Sequence, residues 1–182
     1  MPDTLPQSLD PVPSVELIQH LSDPDMADLC DATDAAIEAG GGFGWVELPS
    51  REIMERWWRG VVTMPHRDLF VARLDGVICG TVQLVKPPMN NQAQAHITQL
   101  LSLFVTPWGR SHGLFEMLID AAEKAAIDEG FKIMNLDVRE TMITAIEKYE
   151  AAGYVRIGEH PHYAEVDGET LRGYYYYKDL LK

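Results

Sequence analysis

The sequence predicts a single domain of the mixed α/β class, and three observations carry that prediction. Asp75-Gly76 sits between two apolar-rich runs, the strongest short signal for an antiparallel hairpin. An apolar strand ending at Leu103-Phe104-Val105 passes through a short turn into a long amphipathic stretch with Leu114, Leu118, Ala122 and Ala125 on one stripe. Strand-like and helix-like segments alternate along the rest of the chain, giving the order βααβββαβαββ.

Residues 1–13 hold four prolines (Pro2, Pro6, Pro11, Pro13) and few large apolar groups, so they read as a flexible arm before a domain spanning 14–182. Residues 15–21 form a short first strand, and Asp23 or Asp25 caps a helix running to about Ala39. Gly40-Gly41-Gly42-Phe43-Gly44-Trp45 ends that helix in a loop with free backbone and two aromatics. Ser50 caps a second helix through Trp57 and Trp58. These neighbours point about a hundred degrees apart, so one belongs to the core. Strands at 69–74 and 77–85 make the hairpin, and residues 87–94 are a polar loop. Residues 97–105, apolar on both faces, belong at the centre of a sheet. The third helix covers roughly 110–129 and stops at Gly130. A strand at 133–138, a helix over 141–152 closed by Gly153, and strands at 154–158 and 173–178 around a loop at 161–170 complete the chain.

With 182 residues and 46% apolar content, the chain buries a substantial core. No apolar run reaches membrane-spanning length and the amino terminus lacks a secretory pattern, so a soluble cytoplasmic protein is expected. The formal charge is -13, and residues 1–50 hold ten carboxylates and no Lys or Arg. Such a field repels nucleic acid and anionic membranes and favours a cationic small molecule or a basic peptide; a solvated helix face explains it equally well. Cys30 and Cys79 have apolar or small neighbours and no metal-motif spacing, and they read as buried thiols. His96, His112, His160 and His162 are dispersed, so no metal site is expected.

The turn into the third helix is the most informative stretch. The first amides of a helix have no partner within it, and the macrodipole adds about half a positive charge there, so Arg110-Ser111-His112-Gly113-Leu114-Phe115 reads as a phosphate site.

That hexapeptide, following a strand and a proline, resembles the Q/R-x-x-G-x-G/A signature of the GNAT superfamily, acetyltransferases that use acetyl-CoA. Gly113 matches, and Phe115 replaces the final small residue. The stretch Ala145-Ile146-Glu147-Lys148-Tyr149-Glu150-Ala151-Ala152-Gly153-Tyr154 resembles a second family pattern, with Met142 where the family usually has Asn. The resemblance covers roughly residues 15–180. A looser likeness to the subgroup containing the tabtoxin resistance acetyltransferase rests on Gly80-Thr81-Val82-Gln83-Leu84, Leu136-Asp137-Val138-Arg139-Glu140 and Pro161-His162-Tyr163.

The resemblance implies a mostly antiparallel sheet whose fourth and fifth strands splay, with acetyl-CoA as cosubstrate and no metal. It assigns Leu103, Phe104 and Val105 to the pantetheine arm and the amides of Arg110, Ser111, His112, Gly113, Leu114 and Phe115 to the pyrophosphate, with Met142 and Ala145 beside the cofactor. Phe115 shares a helical face with Leu118, Ile119 and Ala122 and is expected to turn inward; the alternative is a narrowed cofactor site.

Acetyl transfer needs a neutral amine, a polarised carbonyl and a proton for the departing thiolate. Tyr149 is the expected general acid, against the simpler reading of a core tyrosine. Asp137 alternates with Leu136 and Val138 and is the expected base through water, against a structural carboxylate at a strand end. Gln99 occupies the position of the subgroup's Glu. Its amide accepts no proton at neutral pH, so it is expected only to orient substrate. In the family the acceptor enters over the loop between the first two helices, which assigns Phe43 and Trp45 to one wall, with Tyr163 of the last hairpin facing them. The implied activity is N-acetylation of a primary amine on a small, cationic molecule by direct attack in a ternary complex, by a monomer or homodimer. The alternative, prompted by Phe115, Met142 and Gln99, is a non-catalytic acyl-CoA-binding module on the same fold.

Overall fold

The computed structural model describes residues 10–41 and 44–182. In chain order its elements are β1 (Pro13–Ile18), α1 (Asp23–Glu38), α2 (Arg51–Thr63), β2 (Arg67–Leu74), β3 (Val77–Val85), β4 (Ile97–Val105), α3 (Leu114–Asp128), β5 (Ile133–Arg139), α4 (Ile143–Ala151), β6 (Val155–Val166) and β7 (Glu169–Asp179). This is the predicted order. Among the described residues the strands form one sheet, β1-β2-β3-β4-β5-β7-β6, in which only β4 and β5 run parallel.

Helices cover both faces. On one, Leu114, Leu118, Ile119 and Ala122 of α3 and Tyr149 of α4 pack against Val82, Leu84, Leu100, Met134 and Leu136. On the other, Leu29 and Ile37 of α1 and Met54, Trp58 and Val61 of α2 pack against Leu69, Val71, Ile78 and Phe104. Trp58 is the core member of the tryptophan pair, and its indole N–H donates to Thr33 Oγ1 at 3.0 Å. Both cysteines are buried and unpaired.

Four boundaries depart from the sequence reading, each for a local reason. β1 begins at Pro13, inside the expected arm, and ends at Ile18; it is an edge strand, where proline is tolerated, and Val12 N–H donates to Asp75 Oδ1 at 2.9 Å. The α1 cap is Ser22, whose hydroxyl accepts from the Asp25 amide at 3.2 Å, so Asp23 and Asp25 lie in the first turn instead.

α3 starts at Leu114 and not near residue 110. A 3₁₀ turn at Pro107–Gly109 precedes it, and Ser111 and Gly113 have φ of 67° and 72°. Left-handed backbone cannot continue a right-handed helix, and glycine at the cap takes that conformation without the penalty of a Cβ. Finally, the segment expected as a loop at 161–170 is mostly strand: β6 continues to Val166 and turns at Asp167-Gly168, both with positive φ, into β7. Its largely exposed side chains carry no period-2 burial signal.

Candidate active site

The central feature is the parting of β4 from β5. They pair only at Ile97↔Ile133, Thr98↔Met134 and Gln99↔Asn135. On its other side β4 stays paired with β3, with one extra residue accommodated at Ser102, whose φ is 51° and whose carbonyl accepts from Thr81 Oγ1 at 2.8 Å. The bulge bends β4 away from β5: the β4–β5 ladder ends at Gln99↔Asn135, and a cleft of ≈ 540 Å³ opens beside Leu103, Phe104 and Val105.

The amino-terminal ends of α3 and α4 both line this cleft. Of the residues expected at the cofactor, Leu103, Phe104, Val105, Arg110, Ser111, Gly113, Leu114, Phe115, Met142 and Ala145 do so. His112 does not line it; its ring sits 3.3 Å from the Gly109 carbonyl and braces the turn. Phe115 is half-buried, its ring 5.4 Å from that of Tyr149, and it also forms cleft wall. Lys148 lies over Phe115 and pairs with Glu116, holding that carboxyl below its usual range. The carboxyl end of α1 closes the cleft through Ala36, Ala39 and Gly41, fixed by Arg139, which donates to the Gly40 carbonyl at 3.0 Å.

Two helix ends whose first amides have no partner within the helix, Arg110, Lys148 and the stretch of β4 beyond its pairing with β5 suit a long ligand with phosphates at one end and amides along its arm. The cleft's size is that of an ordinary cofactor site. Acetyl-CoA therefore fits the residues present.

Beside the splay, three expected site residues meet. Gln99 Nε2 of β4 donates to Asp137 Oδ1 at 3.1 Å, and the Tyr163 hydroxyl of β6 donates to Asp137 Oδ2. Burial and this hydrogen bond hold the Tyr163 phenol protonated above its ordinary range. Tyr175, opposite Asp137 in the β5–β7 register, meets the Tyr163 ring edge-on at 6.4 Å. Tyr149 is buried between Phe115 and Tyr154 and does not line the cleft; burial, then the charge of Asp137, raises its phenol. Next to Gln99 a smaller cleft of ≈ 240 Å³ has Asn91, Gln94, Gln99 and Asn135 among its lining residues.

Trp45 lies edge-on to Trp57 at 6.5 Å and lines neither cleft, and Phe43 falls outside the described residues. His160 Nδ1 accepts from the His162 amide at 3.0 Å, which gives that histidine pair a backbone role. Sequence reasoning missed Lys148, Thr141, Thr144, Ala39 and Gly41 in the cleft. Lys148 was legible in principle, since it lies one turn from Ala145 or less on the same helix.

Comparison with known proteins agrees with this architecture. The model of the acetyltransferase (GNAT) family matches residues 29–154. An uncharacterized N-acetyltransferase from the hisH-hisA intergenic region of Azospirillum brasilense is 59% identical over 128 residues, 70% of this chain and 76% of that protein. An N-acetyltransferase from Staphylococcus aureus Mu50 superposes with a TM-score of 0.78 at 14% identity, covering 93% of this chain and 99% of the other. The Salmonella typhimurium protein yncA, solved with its cofactor acetyl-CoA, gives 0.73 at 14% identity, covering 92% and 94%.

Proposed function

Because this chain belongs to the GNAT acetyltransferase family, we propose that it transfers acetyl from acetyl-CoA to the primary amine of a small, cationic molecule by direct attack in a ternary complex. The observation that carries this reading is the opening between β4 and β5, which has a phosphate-competent cleft on one side and the Gln99, Asp137 and Tyr163 cluster on the other.

In this reading the amides from residues 110–115 hold the pyrophosphate, with Arg110 and Lys148 supplying charge. Leu103, Phe104 and Val105, which line the cleft beyond the end of the β4–β5 ladder, lie along the pantetheine arm and aim the thioester into the splay. Met142 and Ala145 flank it from α4. Asp137 accepts the amine's proton through water, so that the nitrogen attacks as a neutral base. Tyr149, whose phenol burial keeps protonated, gives a proton to the departing thiolate. Gln99 and Tyr163 border the acceptor, and the net charge of -13 draws a protonated amine toward the protein.

Calorimetry with acetyl-CoA, followed by thiol release with spermidine, L-lysine amide and phenethylamine, tests this. Binding with turnover that favours the polyamine supports it. Binding with no turnover on any amine points to the non-catalytic module, which the replacement of a proton-accepting residue by Gln99 favours.

A further inference from the structure

β6 and β7 pair as far as His160↔Gly173 and resume at Ala164↔Leu171. Pro161, His162 and Tyr163 thus stand opposite Arg172 alone, an insertion of two residues. Pro161 has no amide to leave unpaired, and the His162 amide is taken up by His160. A bulge of this kind re-aims side chains, and this one swings the Tyr163 ring across β7. The ring lies directly on Gly173: a Cβ at that position would stand 2.1 Å from Tyr163 Cγ and 2.3 Å from Cδ2, far inside any real contact. The hydroxyl then reaches Asp137 Oδ2, while Gln99 holds Oδ1 from the opposite side.

We propose that Tyr163 is a positioning residue, aimed by the β6 bulge and seated on Gly173, which together with Gln99 locks the Asp137 carboxylate in one orientation toward the splay. Each carboxylate oxygen gives one lone pair to a neutral donor and keeps another for the water that carries the amine's proton. Gly173 thereby serves the reaction without touching a reactant, because only a residue lacking Cβ lets the ring lie flat. The proposal rests on Asp137 being the base, and the experiment separates the two ideas.

Tyr163→Phe, Gly173→Ala, their combination and Asp137→Asn are compared by two readouts. In tyrosine-ring ¹³C NMR, the resonance deleted by Tyr163→Phe titrates at lower pH in Asp137→Asn and in Gly173→Ala than in the wild type. In thiol release with the fastest amine of the panel above, Tyr163→Phe and Gly173→Ala each lower kcat by about tenfold or more with KM for acetyl-CoA unchanged. The combined variant is no slower than Tyr163→Phe alone. If Gly173→Ala does not fold, adding Tyr163→Ala removes the clash and restores folding.

A Tyr163 titration untouched by Asp137→Asn would mean that the contact is absent and would overturn the proposal, as would multiplicative kcat losses in the combined variant. Full turnover in Asp137→Asn with the resonance displaced would retire Asp137 as base while leaving the contact standing.

Discussion

Gln99 donates to Asp137 at 3.1 Å from the last β4 residue still paired with β5, two positions short of its partner's level on that strand. A side chain thus continues the bridge where the backbone ladder stops. In this chain the amide at residue 99 acts as a strut for a neighbouring carboxylate, which explains how a group unable to accept a proton remains useful at that position.

Tyr149→Phe removes only the phenolic hydroxyl of a packed ring. Turnover should fall by about 10²-fold, with acetyl-CoA affinity unchanged by calorimetry. An unchanged kcat would remove Tyr149 as the acid and leave it as a core residue.

Glu116→Gln should tighten acetyl-CoA binding, because Lys148 is held by Glu116 at the wall of the cleft. Neutralising Glu116 frees the cation and removes a negative charge from beside the phosphate site. The gain should shrink as salt is raised. The same change should cost about 0.3–1 kcal/mol of stability in denaturant titration, since a carboxylate is lost from the first turn of α3.

Gly113→Ala should destabilise the protein by roughly 1–2 kcal/mol, because φ of 72° suits glycine and penalises a Cβ. No atom stands within 4 Å of the Cβ position, so the cost is backbone strain without a clash. Acetyl-CoA affinity should fall with it as the amides of the turn shift. A Gly113→Ala protein as stable as the wild type would show that the left-handed cap is not maintained.

Alkaline pH provides a further check. Burial pushes the Cys79 thiol up to about 11 from 9.0. The unfolded chain therefore loses this proton first, and the contribution of the protonated thiol is complete below about pH 9 and gone by about pH 11. Urea titrations of wild type and Cys79→Ala should differ most below pH 9 and converge toward pH 11. A constant difference across that range would place Cys79 in contact with solvent.

The order of elements was legible because burial imposed periodicity on it, as in the α3 stripe and the Asp75-Gly76 hairpin. Most positions expected beside the cofactor were brought together in one cleft, His112 excepted, because local motif spacing sets them. The acceptor side was less so. Tyr163 meets Asp137 only through a bulge in a largely exposed strand, and Gly173 matters only because of a ring ten residues away. The placing of Trp45 was not legible for a related reason: a loop aromatic chooses between a site and a neighbouring helix, and Trp57 offered an edge-on partner. All of β6 and β7 also falls outside the residues matched by the family model.

The three-pair seam between β4 and β5 has a consequence for the protein's persistence. A sheet joined along so short a ladder has a weak line down its middle, and a ligand arm lying along β4 beyond Gln99 would mend it. Ligand-linked stabilisation grows as RT ln(1 + [L]/Kd), so melting temperature and resistance to proteolysis should climb together as acetyl-CoA is added. The abundance of such a protein would then follow the metabolic supply of its own cosubstrate, with starved molecules the first to be degraded.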